Sequence, residues 1–394
     1  MTVGRPGVAA PAWPARNVAI LGLVFSVALA VVLWRLNWLI GNGGGPFTQG
    51  DWLVNLQSGL VRRGIAGEVF LAVSDATGIG LLPLVGGVQA VLVVAIFAMI
   101  FHGALLARLP DRLLLILVSP LLVTFWAIDS VGAFRKELLG LLAFLPLLPQ
   151  GRGRVAAWLV PVLFAVAVAA HEANAFFVPA LCVGVMIRFG DGHDMWQTRL
   201  VAVILAIGVV GFGFAIQYRS LPDTVAMCVA LTARGLSPEI CGGAIDWMDD
   251  PAGSARGPLR NLLDRYSQTA ASLVFGALLV PVALAYRHAP KTRLWLAAGA
   301  VVFAGFLPLY AVAVDWGRWM SMFMFSAAFL TMILAIHTEA GWLRRPVPPM
   351  VFGAVLVMSG GLGVYHYGGL PMPGFVPVVA DIAARKLVGV GLLP

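Results

Sequence analysis

The sequence predicts an all-α polytopic membrane protein, and three observations lead to that class. Hydrophobic residues make up 60% of the 394 residues and charged residues only 11%, with a mean hydropathy of +0.92. A soluble domain of this length cannot bury so much apolar surface. The apolar runs are long and lack the strict alternation of barrel strands, and lipid leaves no water for unpaired backbone groups, so the spans are predicted to be helices.

The chain is predicted to form a single integral-membrane domain, residues 1–394, with about eleven transmembrane helices. A cytoplasmic tail, residues 1–17, leads into a retained first helix over about 18–40. Within 113–188 the runs fall short of the roughly 20 residues that a full crossing needs, so half-helices or re-entrant hairpins stay as alternatives there. The later runs are 81–106, 113–128, 138–149, 155–170, 173–188, 199–217, 271–286, 294–314, 319–336 and 349–366.

Residues 47–70 are predicted to form an amphipathic helix that lies on the outer membrane surface. At about 100° per residue, Asp51, Asn55 and Arg62 fall on one stripe and the apolar side chains on the other. The segment therefore presents a carboxylate and, three turns later, the adjacent pair Arg62 and Arg63, which we interpret as the floor of an active site. The simpler interpretation is that Asp51 caps the helix and the arginines anchor it to lipid headgroups.

The charges indicate the orientation of the chain. One predicted side receives thirteen of the 26 cations but only four of the 18 acidic residues. The cations divide equally between the two sides, so a count of basic residues gives no orientation. The shortage of acidic residues favours a cytoplasmic location for that side, at the inner membrane of a bacterium. The first loop, the long loop 218–270 and a C-terminal tail, residues 367–394, then face the periplasm. Basic residues at helix ends face anionic lipid headgroups, so the positive net charge predicts membrane lipids as partners and no nucleic acid.

The cysteines fit this orientation. Cys228 and Cys241 both lie in the long loop, thirteen residues apart, while Cys182 lies within an apolar run. In an oxidising compartment the loop pair is predicted to form a disulfide. Two unrelated free cysteines are the alternative.

Four polar clusters are predicted to meet at the outer face. Ionisable groups near hydrocarbon cost roughly 2.5–3.5 kcal/mol each at a helix centre, and they mark cavities and pathways. Each cluster also has a structural interpretation as a helix cap, a solvated turn or a local ion pair. The clusters are Asp51 with Arg62 and Arg63, Asp129 with Arg135, Lys136 and Glu137, His171 with Glu172, and Asp315 with Arg318.

Several motifs are absent from the sequence, and their absence narrows the chemistry. There is no G-x-x-x-x-G-K-[ST], no H-E-x-x-H and no C-x-x-C, which excludes a P-loop ATPase and argues against a zinc protease. The glycine run at 41–45 is typical of a hinge rather than a phosphate loop. An outward-facing enzyme without ATP needs an activated substrate, and in a bacterial envelope this is a sugar on a polyprenyl phosphate or diphosphate.

An aspartate in the first external loop, just after the first transmembrane helix, resembles the GT-C class of integral-membrane glycosyltransferases. Short motifs also resemble those of bacterial envelope-polysaccharide proteins of the polymerase and EpsG-like kind. These are VRRGIAG (61–67), RKE (135–137), HEANAFFVP (171–179) and DWGRW (315–319). The chain departs from that class in having Asp51 where many members carry two acids, and a short tail in place of a large soluble C-terminal domain.

The resemblance implies transfer of a sugar from a polyprenyl-phosphate-linked donor to a glycan or lipid-linked acceptor on the periplasmic face. Asp51 would be the general base, with a pKa raised in a partly dry groove, and Glu172 and His171 would bind sugar hydroxyls or replace it as base. The expected phosphate ligands are Arg62, Arg63, Arg135 and Arg318. Further substrate contacts are expected from Asn55, Lys136, Glu137, Asp315 and Trp316.

Other functions use the same residues. A polymerase or ligase acting on polyprenyl-diphosphate-linked repeat units would need the arginines but no strong carboxylate base. A transporter or flippase for a lipid-linked glycan would place charges at midplane depth and show related halves, and no internal repeat is evident. A structural subunit of an envelope complex is a third alternative. No cofactor is required by the sequence, and Mg²⁺ or Mn²⁺ bridging a phosphate to Asp51 stays an open alternative.

Overall fold

The computed structural model describes residues 14–149, 153–190, 195–221, 223–249, 265–338 and 340–389. In these residues the chain is helical apart from connecting segments and one short hairpin. The α-helices are α1 (Ala15–Gly41), α2 (Gly64–Thr77), α3 (Leu81–Leu106), α4 (Asp111–Leu117), α5 (Val123–Ile128), α6 (Glu137–Leu142), α7 (Arg154–Ala170), α8 (Val178–Phe189), α9 (Met195–Gln217), α10 (Val225–Thr232), α11 (Arg265–Leu278), α12 (Val280–Tyr286), α13 (Thr292–Val312), α14 (Trp316–His337), α15 (Pro349–Gly361) and α16 (Phe375–Gly389). Short 3₁₀ helices cover Gly50–Leu53, Leu145–Leu147, Glu172–Phe177, Pro238–Cys241, Asp246–Met248 and Gly341–Arg344.

Seven helical segments in the described residues are long and apolar enough to cross a membrane. The chain is therefore a mainly helical, multi-pass membrane protein, as the composition predicts. The predicted total of about eleven crossings stays a prediction, because three further apolar helices are shorter than a full span. The seven segments are Ala15–Gly41, Leu81–Leu106, Glu172–Phe189, Met195–Gln217, Tyr266–Tyr286, Thr292–Val312 and Trp316–His337.

Helix α14 lies at the centre of the molecule. It packs against α8 on one side and α13 on another, with α3 and α4 also in contact. Its aromatic side chains stack on neighbouring elements, Phe325 on Trp126 with ring centroids 5.0 Å apart and Phe329 on Phe144 at 4.8 Å. Because α14 is buried along almost its whole length, it fixes the position of Arg318 in its first turn.

The region from 111 to 147 contains short helices rather than full crossings. Helix α4 ends at Leu117, shortly before Pro120, because the residue before a proline is disfavoured in the helical conformation. Helices α4 and α5 are almost entirely buried within the protein. Broken helices are tolerated at membrane depth only under such cover. The predicted span 113–128 is therefore two half-helices, which is the alternative that its short apolar run left open.

The predicted surface helix over 47–70 is wrong for most of its length. Residues Gly50–Leu53 form one 3₁₀ turn, the chain is irregular as far as Arg63, and only α2 is an α-helix. The backbone cannot continue as a right-handed helix because Gly59 and Arg63 have φ angles of +120° and +67°. The residues from Asp51 to Asn55 are buried. The segment is thus folded into the protein rather than laid on its surface.

The long loop and the C-terminal tail also contain more structure than predicted. The described part of 218–270 contains α10, two 3₁₀ helices and the start of α11, while residues 250–264 lie outside the described residues. A disulfide joins Cys228 in α10 to Cys241 in the adjacent 3₁₀ helix. The predicted tail 367–394 carries strand β2 (Pro371–Pro373), antiparallel to β1 (Leu362–Val364), and then helix α16. Of the predicted N-terminal tail, residues 1–13 lie outside the described residues.

Candidate functional site

Four chain segments bring the predicted polar clusters together. They are the loop after α1, the turn before α6, the break between α7 and α8, and the first turn of α14. At the break, His171 is extended, with φ −160°, and its Nδ1 accepts a hydrogen bond from the Ala173 N–H at 2.9 Å. This cap starts the 3₁₀ helix Glu172–Phe177 in a new direction, so that the adjacent Glu172 faces the loop after α1.

Glu172 is the partner of both adjacent arginines. Its Oε1 lies 2.6 Å from Arg62 Nη1, and its two carboxylate oxygens accept from Arg63 Nε at 2.9 and 3.0 Å. The Glu172 side chain is only 10% exposed, so the ion pairs are largely removed from water. The loop that carries the arginines is held by the carbonyl groups of Tyr218 and Arg219, which accept from the Arg62 N–H and Nε. The arginine pair is thereby fixed before any ligand binds.

Asp51 lies beneath this pair rather than on a cavity wall. Its Oδ1 is 3.5 Å from Arg63 Nη1, and its side chain is fully buried. Burial by itself would raise the pKa of the Asp51 carboxyl, but the positive charges of Lys136 and Arg63 hold that pKa well below its usual range. The expected rise in its pKa is therefore wrong. A buried carboxylate that resists protonation is a counter-ion, and it is poorly placed to act as a general base.

Lys136 and His171 are also fully buried beside Asp51. Lys136 Nζ donates to the Arg63 carbonyl oxygen at 3.0 Å, and burial lowers its pKa to about 8. Burial and the charge of Arg63 lower the pKa of His171 to about 4, so its imidazole is neutral at pH 7. These residues form the support behind the arginine pair rather than a surface that a substrate touches.

A second arginine group lies at the first turn of α14. Arg318 Nη2 is 3.1 Å from Asp315 and 3.5 Å from Glu137, while both Glu137 oxygens have no hydrogen-bond partner among the described residues. Arg135 Nη1 donates to the Phe47 carbonyl oxygen at 2.6 Å. Arg135 is thus held by a backbone carbonyl group, whereas Arg318 lies between the carboxylates of Asp315 and Glu137.

Two cavities meet at the arginine pair. A cavity of about 380 Å³, which we call the polar cavity, has mainly apolar and aromatic walls that also carry charged side chains. Arg135, Arg318, Trp247 and Trp319 are among its lining residues. A groove of about 450 Å³ lies between α7 and α9, and its walls are apolar apart from one end. That end is formed by Arg62, Arg63 and Glu172, which also line the first cavity. The three charged residues therefore lie at the boundary between the polar cavity and the apolar groove.

The polar cavity also contains a histidine that is not among the predicted site residues. His366, in the turn between β1 and β2, places Nδ1 2.6 Å from Asp129 Oδ2 and donates its backbone N–H to the same oxygen at 2.7 Å. The other oxygen, Oδ1, accepts from the N–H groups of Val131 and Gly132. Burial would raise the pKa of Asp129, but these hydrogen bonds outweigh it and lower that pKa. A lone histidine 237 positions from its partner leaves no signal in a local pattern.

Most of the predicted site residues converge, but several do not reach a cavity that a substrate could enter. Asn55 donates to the Leu53 and Met227 carbonyl oxygens, and the Trp316 indole N–H donates to the Tyr310 carbonyl oxygen, so both side chains support the fold. Glu137 lines a small void of about 20 Å³. The predicted residues that line the polar cavity are Arg62, Arg63, Arg135, Glu172, Asp315 and Arg318. Asn55, Lys136 and Trp316 line neither of the two cavities, and their expected substrate contacts stay predictions.

In the parts of the chain that the structure describes, no group of three or more His, Cys, Asp or Glu side chains is arranged to hold a metal ion. The charges of the site are instead those of arginine and carboxylate. Comparison with known proteins found no protein-family model, no curated protein and no solved structure that matches this chain.

Proposed function

We propose that this chain is a membrane glycosyltransferase that moves a sugar from a polyprenyl-phosphate-linked donor to a glycan or lipid-linked acceptor. One observation carries the proposal, namely that Arg62, Arg63 and Glu172 line both a polar cavity and an apolar groove. A polyprenyl-phosphate sugar is built in the same order, because its phosphate lies between an apolar hydrocarbon chain and a polar sugar. Its hydrocarbon chain suits the groove between α7 and α9, its phosphate suits the arginines, and its sugar suits the aromatic cavity.

The arginine pair is suited to hold the phosphate that leaves. A guanidinium group binds phosphate oxygens through paired N–H donors, and this contact offsets the charge that develops as the bond to the sugar breaks. Without substrate, Glu172 occupies those donors. An incoming phosphate can take over part of these contacts, so the arginines never lie buried without a partner, which would cost several kcal/mol.

His366 replaces Asp51 as the proposed base. With Nδ1–H donated to Asp129, the lone pair of Nε2 is available, and no described residue bonds to that nitrogen. In the reaction Nε2 takes the proton of the acceptor hydroxyl, and the acceptor oxygen forms a bond to the anomeric carbon. The bond from that carbon to the phosphate oxygen breaks, and its electron pair stays on the phosphate beside Arg62 and Arg63. Asp129 holds the ring in the required tautomer.

The experiment that tests this proposal measures release of polyprenyl phosphate by the purified protein. Polyprenyl-phosphate-linked sugars are offered as a panel with a mixture of envelope glycans, in the presence of Mg²⁺ or of EDTA. We expect release from at least one donor. The rate of release should fall about 100-fold or more in Arg63→Gln, because a residue that stabilises charge in the transition state is lost. Arg234→Gln should release polyprenyl phosphate at the full rate. Arg234 is a matched control because it pairs with the exposed Asp75 and lines neither cavity. No release from any donor, or release that Arg63→Gln leaves unchanged, contradicts the proposal.

A polymerase or ligase that acts on polyprenyl-diphosphate-linked repeat units is the second candidate, and one observation favours it. Arg135 and Arg318 line the same cavity as Arg62 and Arg63, which supplies cations for a second phosphate group. The same assay, with polyprenyl-diphosphate-linked repeat units added to the panel of donors, separates the two functions by product. Release of polyprenyl diphosphate, together with loss of activity in Arg318→Gln, supports the polymerase or ligase.

A further inference from the structure

A third cavity shares no lining residue with the two cavities at the arginine pair. It has a volume of about 500 Å³ and is enclosed by α8, α11, α12, α13 and α14. Its walls are almost wholly apolar, with Phe275, Phe303 and Leu330 among them. Arg287 and Thr292 bring polar groups to one end of it, where α12 has ended and α13 begins. The cavity therefore has an apolar interior and a cationic rim.

The rim is a concentration of positive charge. Desolvation together with the charges of Arg287, Arg112 and Arg345 lowers the pKa of His288, so the groups that shift it electrostatically are all cations. The guanidinium of Arg112 donates hydrogen bonds to carbonyl oxygens, including that of Arg345 at 3.1 Å. Arg287 is exposed and directly follows α12, which leaves its guanidinium facing outward at the end of the cavity.

Aromatic residues mark the depth of this rim in the membrane. The ring of Tyr286 lies 5.1 Å from that of Trp342 and 6.3 Å from that of Trp295, all near the end of the candidate span Tyr266–Tyr286. Trp and Tyr prefer the boundary between hydrocarbon and headgroups. Arg287 is therefore at the level where a lipid phosphate lies, with the cavity extending from it into the hydrocarbon.

We propose that this cavity binds one anionic phospholipid, with an acyl chain between α11, α13 and α14 and its phosphate against Arg287. The apolar walls fit the chain, and the cationic rim fits a headgroup that carries net negative charge. A zwitterionic lipid has the same chain but gains less from the rim. The site is independent of the proposed transferase activity, since no residue of this cavity lines either cavity at the arginine pair.

Two substitutions test the two halves of the site separately. Gly299 lines the cavity, and a Cβ atom built on it meets nothing within 4 Å, so the side chain of Gly299→Leu begins in open space at the cavity wall. Gly276 has the same free space but does not line the cavity, which makes Gly276→Leu the matched control. Arg287→Gln removes the rim charge, and Arg293→Gln removes a nearby exposed charge that does not line the cavity.

The measurement is retention of lipid by the full chain after reconstitution with equal amounts of phosphatidylglycerol and phosphatidylcholine, read by native mass spectrometry. We expect the unmodified protein and both controls to retain phosphatidylglycerol in preference, and Arg287→Gln to lose about fivefold of that preference, as one interfacial cation predicts. Gly299→Leu should lose the bound lipid altogether. If Gly299→Leu or Arg287→Gln retains phosphatidylglycerol as the unmodified protein does, the proposal is overturned, and this is also the result expected if a partner protein fills the cavity.

Quenching by brominated acyl chains gives a second measurement on the folded protein. Trp295 lines the cavity, so the difference in fluorescence between the unmodified chain and Trp295→Phe reports its surroundings. We expect brominated phosphatidylglycerol to quench this component more strongly than brominated phosphatidylcholine. Equal quenching by both lipids contradicts a site that selects negative charge.

Discussion

Glu172 has the largest influence of any single residue on the site, because it is the common partner of two adjacent cations. Arg62 and Arg63 would repel each other in a region of low solvent exposure if its carboxylate were absent. Asp51 supplies a second, more distant negative charge beneath Arg63. Glu172 and Asp51 together balance the charges of Arg62 and Arg63, so an anionic ligand gains these donors by displacing the Glu172 carboxylate.

Removal of the Glu172 charge should therefore destabilise the fold. We expect Glu172→Gln to lower the free energy of unfolding by about 3 kcal/mol, since breaking a largely buried ion pair leaves its cations without compensation. Thermal unfolding in detergent measures the loss. Asp75→Asn, which breaks the exposed pair with Arg234, is the control and should leave the midpoint unchanged. Equal midpoints for the two variants would show that the Glu172 pairs contribute nothing.

His171 should make the stability depend on pH. Its pKa is about 4 in the folded chain against the ordinary histidine value of 6.5, so between these values the unfolded chain binds a proton that the folded chain does not. The free energy of unfolding should then fall as the pH drops from about 6.5 to about 4, by roughly 3 kcal/mol in total.

The variant that checks this effect is His171→Asn. Asparagine retains an acceptor for the Ala173 N–H but does not titrate, so the fall of stability across this pH range should become shallower. His102→Asn, at an exposed position in α3, is the control and should leave the slope unchanged. Midpoints of thermal unfolding at a series of pH values measure both slopes. An unaltered slope in His171→Asn would be contrary to the prediction.

At the scale of elements, the long spans could be predicted and the loop after α1 could not. Helices such as α3 and α9 are apolar on all sides, so their own composition is sufficient to place them in a membrane. The loop has a helical pattern of polar residues, but tertiary contacts override it. Trp52 donates its indole N–H to the Phe134 carbonyl oxygen at 2.6 Å, and Asn55 reaches the Met227 carbonyl oxygen at 3.3 Å. These partners lie 82 and 172 positions away, beyond any local periodicity.

The packing of this loop on α2 gives a prediction at Gly67. A Cβ atom at that position would lie 2.0 Å from the Val54 carbonyl oxygen, which is far inside a normal contact. Gly67→Ala should therefore push the loop away from α2 and lower the free energy of unfolding by about 1–3 kcal/mol, the range of overpacked cores. Gly87→Ala in α3, where a Cβ atom meets nothing within 4 Å, should show no loss. Thermal unfolding of both variants measures the difference in stability. A Gly67→Ala variant as stable as the unmodified protein would show that the loop is not held there.

At the scale of the whole molecule, helices α1 and α13 are long enough to hold the two ends of the molecule on opposite sides of a membrane, and these ends carry different charges. Helix α1 has 27 residues and α13 has 21, which correspond to about 40 and 30 Å. The loop of Asp51 follows α1 and Asp315 follows α13, while Arg16 and Arg287 lie near their other ends. The convergence of the polar clusters could be predicted because it follows from alternation of the spans. The pairing of His366 with Asp129 could not, because it depends on how the last hairpin folds back over α5.

The two ends should be reached from opposite sides of the membrane. In a chain with Cys182→Ala, a single cysteine at the exposed Ser220, just after α9, should react with an impermeant maleimide added outside intact spheroplasts. A cysteine at the exposed Pro290, between α12 and α13, should react only after the membrane is permeabilised. Cys228 and Cys241 do not react with the maleimide in either case, because they are joined in a disulfide. Reaction of Pro290→Cys but not of Ser220→Cys in intact spheroplasts would reverse the orientation, and the arginine pair would then face the cytosol, where a sugar on a periplasmic lipid carrier cannot reach it.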